Sequence, residues 1–309
     1  MNRVATRGNY QSALMNLMQS QKRGQIAQQQ FSSGKLGTNH AEFGRVSEAI
    51  TAMKTSQTRI SGFLATAKTT ADRLSSQDLA LERIATSATD ARNAIANAIA
   101  AGRTEGMMTE IRSLFQAVQD GINTRHQGKY LFSGGAVDTR PSDVTFDNLP
   151  TTDLTTVFKN DDLIQTSWVD ENITLKTGFL AENLGQDLYG LFKTMAELEA
   201  TNEANGTPLN GLMTEDQREA LEDLIELFDK AASAIVTEQA TNGAIQSRTD
   251  SIIETHVARA DTLEVMLADK TDVDMAKAVT ELELSQLAIQ ASAQVISQLR
   301  QTSLLDYLR

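Results

Sequence analysis

The chain is predicted to be mainly α. It reads as a long antiparallel coiled-coil or helical-bundle rod with paired terminal helices and a small β-rich central insertion. Three observations carry this. Apolar residues recur every seventh position through one long segment, the helical period disappears once, near the middle, and the two ends carry amphipathic patterns of opposite charge.

The first helix is expected over about residues 9–31. Tyr10, Leu14 and Leu17 share a face, and Phe31 falls two heptads after Leu17. Between them the stripe reads Gln21, Gly24 and Gln28, and Gln dominates the stretch from Gln19 to Gln30, so the helix is weakly apolar and unstable alone. A low-complexity, aggregation-prone segment has the same composition. The Ser33-Gly34-Lys35-Leu36-Gly37 run then breaks the helix.

Asn39 followed by Glu42 has the spacing of a capping box and is expected to start the next helix. Val46, Met53, Ile60, Ala67, Leu74, Leu81, Ala88 and Ile95 lie seven apart and are all apolar. Three residues after each come Ala49, Ser56, Phe63, Thr70, Gln77, Ile84, Ala91 and Ala98, a mixed second seam. Heptads sustained this far predict one helix of roughly 55 residues, about 80 Å long. Gly102 ends it. Thr104 is positioned to cap a third helix through Met107, Ile111, Leu114, Val118 and Ile122, closed by Gly128.

From Ser133 to Thr177 the period is lost. Pro141 and Pro150 separate β-like runs at Thr155–Lys159, Leu163–Val169 and Ile173–Thr177, with Lys159-Asn160-Asp161-Asp162 as the turn between the first two. Helical spacing resumes with Leu180, Leu184, Leu188, Leu191 and Met195. Thr214 with Gln217 makes a second capping box, opening a helix through Leu221, Leu224, Ile225, Phe228 and Ile235 that can pass Gly243 to Leu267. The last helix is expected from about Thr271. Met275, Leu282, Ile289 and Ile296 line one face, and Leu284, Leu287, Ala288, Ala291 and Val295 line another. A helix apolar on two faces needs partners on both, and one N-terminal helix supplies only one.

Residues 1–36 and 271–309 are thus read as terminal helices, 37–132 and 180–270 as the rod, and 133–179 as the insertion. Before Glu42 there are five basic residues and no acid, whereas 272–309 holds five acids against three bases. Opposite signs favour pairing of the ends. An acid-free, Arg-containing start also fits an organellar transit peptide, but the helical pattern runs on without a processing break.

Composition narrows the function. Without cysteine there is no disulfide framework, thiolate metal site or thiol nucleophile. A net charge of −12 argues against nucleic-acid binding. No apolar run reaches the roughly 18 residues of a membrane helix, and no secretory signal opens the chain. His40, His126 and His256 sit in different elements without metal-ligand spacing. Ser133-Gly134-Gly135 lacks the helix-opening context of a phosphate cradle and reads as a turn. Asp272-Val273-Asp274 fits acids at a helix start better than a catalytic carboxylate pair, and Met107-Met108 fits core packing better than a soft-metal site. No catalytic residue, cofactor or metal is expected.

Several segments resemble the bacterial flagellin superfamily. They are Arg3-Val4-Ala5-Thr6-Arg7, the Phe31-to-Leu36 break, Asp272 through Ala278, and the Leu304-Leu305-Asp306-Tyr307-Leu308 end. Gly128-Lys129-Tyr130-Leu131-Phe132-Ser133-Gly134 and the Ser303–Leu308 ending are most similar to its hook–filament junction, hook-associated branch. The Pro-Gln and Leu-Leu ending of flagellins proper is missing, and Gly37 to Phe43 departs from the family's acidic, Pro-containing connector. The resemblance spans about residues 1–135 and 240–309.

It implies terminal helices lining an axial inner tube, a helical rod outside them, and an outward-facing insertion. It further implies a non-enzymatic subunit exported by the flagellar type III system and located extracellularly at the hook–filament junction. The implied partners are copies of itself in a ring, the other hook-associated junction protein, flagellin and an export chaperone, with no nucleic acid and no membrane. The expected assembly residues are Leu14, Leu17, Phe31, Met275, Leu282, Leu287, Ile289, Ile296, Leu299, Leu304, Leu305 and Tyr307, and Ile289→Asp is expected to block assembly. A filament-forming flagellin is the near alternative, and an unrelated helical scaffold the remote one.

Overall fold

The computed structural model describes residues 2–307, except for the side chains of residues 2–7, 40 and 299–307. Among the described residues, six α-helices run as α1 (Asn2–Ser33), α2 (Ser47–Ala101), α3 (Met107–Ile122), α4 (Ala181–Ala204), α5 (Glu215–Thr271) and α6 (Met275–Tyr307). Two antiparallel hairpins sit among them: β1 (Arg125–His126) with β2 (Lys129–Tyr130), and β3 (Thr166–Asp170) with β4 (Ile173–Lys176). The chain divides into two compact units, Met1–Arg59 with Arg259–Arg309, and Ile60–Ala258.

In the second unit the heptad pattern of α2 is realised as burial. Ala67, Thr70, Leu74, Gln77, Leu81, Ile84, Ala88, Ala91, Ile95 and Ala98 are all buried, so both seams face inward. Their alternating spacings of three and four place them on one stripe. Its hydrophobic members from Leu81 to Ala98 enter the main core with α3, α4 and the Leu221–Ile235 stretch of α5. Phe115 sits amid Phe146, Tyr189 and Phe192, ring centroids 5.1–5.7 Å apart, and Phe192 continues to Phe228 at 5.3 Å. Such edge-to-face contacts stabilise by about 1 kcal/mol each beyond burial. Gly121 lets α3 approach α2 closely, since a Cβ there would lie 2.6 Å from Ile84 Cγ1 and 3.3 Å from the Ala80 carbonyl. The paired methionines Met107 and Met108 are buried in the same core.

A smaller cluster joins Ala67 of α2 to Val169 and Leu175 of the β3–β4 hairpin and to Ile245, Ile252 and Ile253 of α5. His256 is buried beside it, with Nε2 2.8 Å from the Val169 carbonyl and its ring stacked on Phe63. The insertion closes at its base, where Ser133 bridges Leu180 and the Ala181 amide donates to the Phe132 carbonyl at 2.8 Å.

Local chemistry moved several expected boundaries. The Glu42 carboxylate does accept from the Thr38 and Asn39 amides, but it opens a short 3-10 helix (His40–Val46) rather than α2. Gly44, at φ 53°, kinks the chain before α2 starts at Ser47. Thr104 does not cap α3: the N-cap is Gly106, and the buried Thr104 hydroxyl is engaged with Gly211. α3 ends at Ile122, and Gln127-Gly128, both at positive φ, form the tight turn of the first hairpin. Thr155–Lys159 is not a strand. Asp153 accepts from the Thr155 amide and winds Leu154–Thr156 into a 3-10 turn, while Val157 inserts into the main core. Asp161, expected in a hairpin turn, instead accepts from the Gly135 and Leu163 amides, so the second expected run begins pairing only at Thr166.

At α5 the capping box is reciprocal. The Thr214 amide donates to Gln217 Oε1 (3.1 Å) and the Gln217 amide to Thr214 Oγ1 (3.3 Å). The helix passes Gly243 without a break. It extends to Thr271, which was expected to start α6; Asp274 takes that role, accepting from the Ala276 and Lys277 amides.

Candidate assembly interface

The first unit is organised by α1 and α6, which pair antiparallel. On α1 the less exposed positions include Ala13, Leu17, Ser20, Gly24 and Ala27; on α6 they include Ala278, Leu282, Ser285, Ile289, Ser292 and Ile296. Both sets alternate spacings of three and four, the pattern of a two-helix seam. Small side chains dominate it. At its tightest point a Cβ on Gly24 would lie 2.8 Å from Ser285 Oγ, 3.5 Å from Ser285 Cβ and 4.0 Å from Ile289 Cδ1. Proximity, and not backbone conformation, therefore favours a small residue there. The Ser285 hydroxyl is satisfied by the Leu282 carbonyl of its own helix.

Where α1 ends and α6 begins, a short clasp ties the two segments. The Leu36 amide donates to the Thr271 carbonyl (2.7 Å) and the Val273 amide to the Gly34 carbonyl (3.0 Å), flanking a bridge between Lys35 and Asp272. The Lys35 ammonium donates to the Asp272 carboxylate and also lies 3.4 Å from Thr271 Oγ1. The lysine hydrogen bond, helped by the Thr271 hydroxyl, holds the Asp272 carboxyl below the usual carboxylate range. The opposite charges of the two ends thus meet in one specific pair. Asp272 and Asp274 divide the expected acidic motif into a clasp residue and a helix cap.

The structure separates the expected assembly residues into two groups. Leu17, Leu282, Ile289 and Ile296 lie on the half-buried seam between α1 and α6. Leu14, Phe31, Met275 and Leu287 stand exposed, Leu287 at 62%. The side chains of Leu299, Leu304, Leu305 and Tyr307 lie outside the described residues. Tyr10, on the expected stripe, is exposed, and Met15, Met18 and Ile26, which the stripe did not include, are exposed beside it on α1, while Ala13, Ser20 and Ala27 lie within the seam. On α6, Leu284 and Val295 join Leu287 outside the seam. Single exposed leucines are ordinary, but repeated large apolar side chains on two adjacent helices mark a surface made for a partner. Among the described residues no group of three His, Cys, Asp or Glu side chains is placed to hold a metal ion, and no helix is long and apolar enough to cross a membrane.

Residues 225–308, most of α5 and α6, match the family model for the bacterial flagellin C-terminal helical region. Over these residues the chain is similar to flagellin. Its fold is that of flagellar hook-associated proteins. A structure described as a hook-associated protein of Vibrio parahaemolyticus is similar with a TM-score of 0.60 at 14% identity, covering 73% of this chain and 97% of that one. FlgL of Bacillus cereus is similar with a TM-score of 0.54 at 18% identity, covering 70% and 97%. At these identities the likeness is one of fold. Comparison with curated proteins gives no sequence match.

Proposed function

We propose that this chain is a structural subunit of the bacterial flagellum that joins hook to filament, exported by the flagellar type III system and assembled through its terminal helices. The observation that carries the reading is the surface of α6. Within the flagellin C-terminal region, Leu284 and Leu287 are 56% and 62% exposed, while Leu282 and Ile289 of the same helix face α1. Covering one such leucine is worth about 2 kcal/mol, and a ring or tube of identical subunits repeats the gain at every contact.

In this reading residues 1–36 and 271–309 line the inner tube, 37–132 and 180–270 form the rod, and 133–179 faces outward. The α1–α6 seam is rich in Ala, Ser and Gly and buries little apolar surface. The pair is therefore marginal alone and completed by its neighbours, which suits passage through a narrow export channel. The partners are other copies of the chain, the second hook-associated junction protein, flagellin and an export chaperone. The place of action is extracellular.

Leu287→Asp tests it. The substitution puts a charge on the outward face, so the isolated chain should keep its thermal unfolding within about 0.5 kcal/mol of wild type, as for other exposed sites. In the assembly the charge is buried without a partner, and incorporation at hook ends should be lost. Normal incorporation of the variant would remove α6 from the interface. The flagellin region equally supports a filament-forming flagellin, which differs in polymerising extensively on its own.

A further inference from the structure

The second unit holds a cavity of about 570 Å³ between α2, the β1–β2 hairpin and the start of the β3–β4 hairpin. Its volume falls in the range of small-molecule sites. Its charge is anomalous for this chain. In a protein of net charge −12, the lining contains Arg73, Lys129 and His126 and, among the described residues, no aspartate or glutamate.

Arg73 is the central oddity. It is half-buried, and its guanidinium donates only to neutral oxygens: Gln165 Oε1 at 2.5 Å, the Thr177 hydroxyl, and more distantly Ser167 Oγ at 3.4 Å. Its Nε is buried without a partner. Arg112, comparably exposed, is by contrast bracketed by Asp147 and Glu199. A cation taken from water without a counter-ion is costly, and burial pushes the Arg73 pKa down. Lys129 likewise has no carboxylate partner among the described residues.

The neutral lining is also specific. The Thr66 and Thr69 hydroxyls donate to the Gly62 and Ala65 carbonyls, each at 3.1 Å, so towards a ligand they offer lone pairs. Ser76 donates to the Asp72 carbonyl, which makes His126 Nδ1 the donor in the 2.9 Å contact with Ser76 Oγ. His126 Nε2 is left without a partner. Tyr130 and Leu131 add an apolar wall.

We infer that this cavity binds a small hydroxylated carboxylate, in chemical class a sugar acid. Its carboxylate lies beside Arg73 and Lys129, its hydroxyls donate to the threonine oxygens, and a carbon face rests on Tyr130. The site lies wholly within residues 60–258 and does not depend on assembly.

The test is calorimetric titration of the full-length unassembled chain at low salt with D-glucuronate, D-glucose and acetate. Glucuronate should bind at one saturable site, about tenfold or more tighter than either control, because only it combines charge with hydroxyls. Arg73→Met should abolish the binding. Because Arg73 also fastens the β3–β4 hairpin, Lys129→Gln, at an exposed position, is the second variant and should weaken binding without altering the thermal melt. Absence of saturable glucuronate binding would overturn the inference. So would acetate or glucose binding as tightly, or affinity untouched by both substitutions.

Discussion

Gly24→Leu tests how the terminal helices are held. A Cβ at this position already lies 2.8 Å from Ser285 Oγ and 3.5 Å from Ser285 Cβ, with Ile289 Cδ1 at 4.0 Å. The hydroxyl can rotate away, so Gly24→Ala should be close to neutral, its strain offset by about 1 kcal/mol of helix propensity. Leucine has no such escape. Its γ and δ carbons must occupy the space of Ser285 and Ile289, and the helices separate along the seam. Forcing the whole side chain into this contact falls at the upper end of the roughly 1–3 kcal/mol that overpacking costs, and with about 1 kcal/mol of propensity gain subtracted the net loss is about 2 kcal/mol, or roughly 30-fold in the pairing equilibrium. Hydrogen exchange of α1 amides in the isolated chain reads this directly. Protection should fall by about that factor in Gly24→Leu and rise in Gly24→Ala/Ser285→Ala, where the obstructing oxygen is gone. Leu14→Ala and Phe31→Ala, on the exposed surface, should leave it unchanged. Unaltered protection in Gly24→Leu would refute the seam, because α1 would then be held by another face.

Three further outcomes follow from other contacts. The Asp272 carboxyl is held below its ordinary range by Lys35, so the clasp contributes fully above the pKa of an unfolded aspartate and is lost as pH falls through the lowered folded value. Acid unfolding of the terminal pair should begin at higher pH in Lys35→Met than in wild type, followed by helicity against pH. Tyr189 is buried in the aromatic core, and burial pushes its pKa up to about 12. Stability should therefore decline as pH rises from the ordinary tyrosine value of about 10 towards 12, by about 3 kcal/mol in all, and Tyr189→Phe should remove that decline in denaturant titrations at each pH. Thr214→Ala breaks the reciprocal capping box of α5 and should cost about 1 kcal/mol in thermal unfolding.

The long helices were legible because a strict period survives even where single residues violate it. Thr70 and Gln77 are polar and buried, yet they sit on the same stripe as Leu74 and Leu81. The terminal pair was legible in existence but rotated in detail. The expected stripe of α1 held Leu17 and Gly24, which lie in the seam, but also Leu14 and Phe31, which stand exposed; Ala13, Ser20 and Ala27, which share the seam, carry almost no hydrophobic signal. Side chains that bond to nearby backbone decided the boundaries that were missed: Asp153 at Thr155, Asp161 at Gly135, and Asp274 at the start of α6. Each has an alternative reading as a turn or strand flank from sequence alone. The cavity was not legible. Arg73, His126 and Gln165 come from three separate segments, and the missing counter-ion is a property of their meeting.

The most direct test of the central claim is negative-stain electron microscopy of the purified chain, salted out with and without sheared flagella that expose hook ends. The junction account predicts binding at hook or hook-junction ends, with short caps or no growth beyond them. Long filaments grown from the protein alone would contradict it and make the chain a filament-forming flagellin.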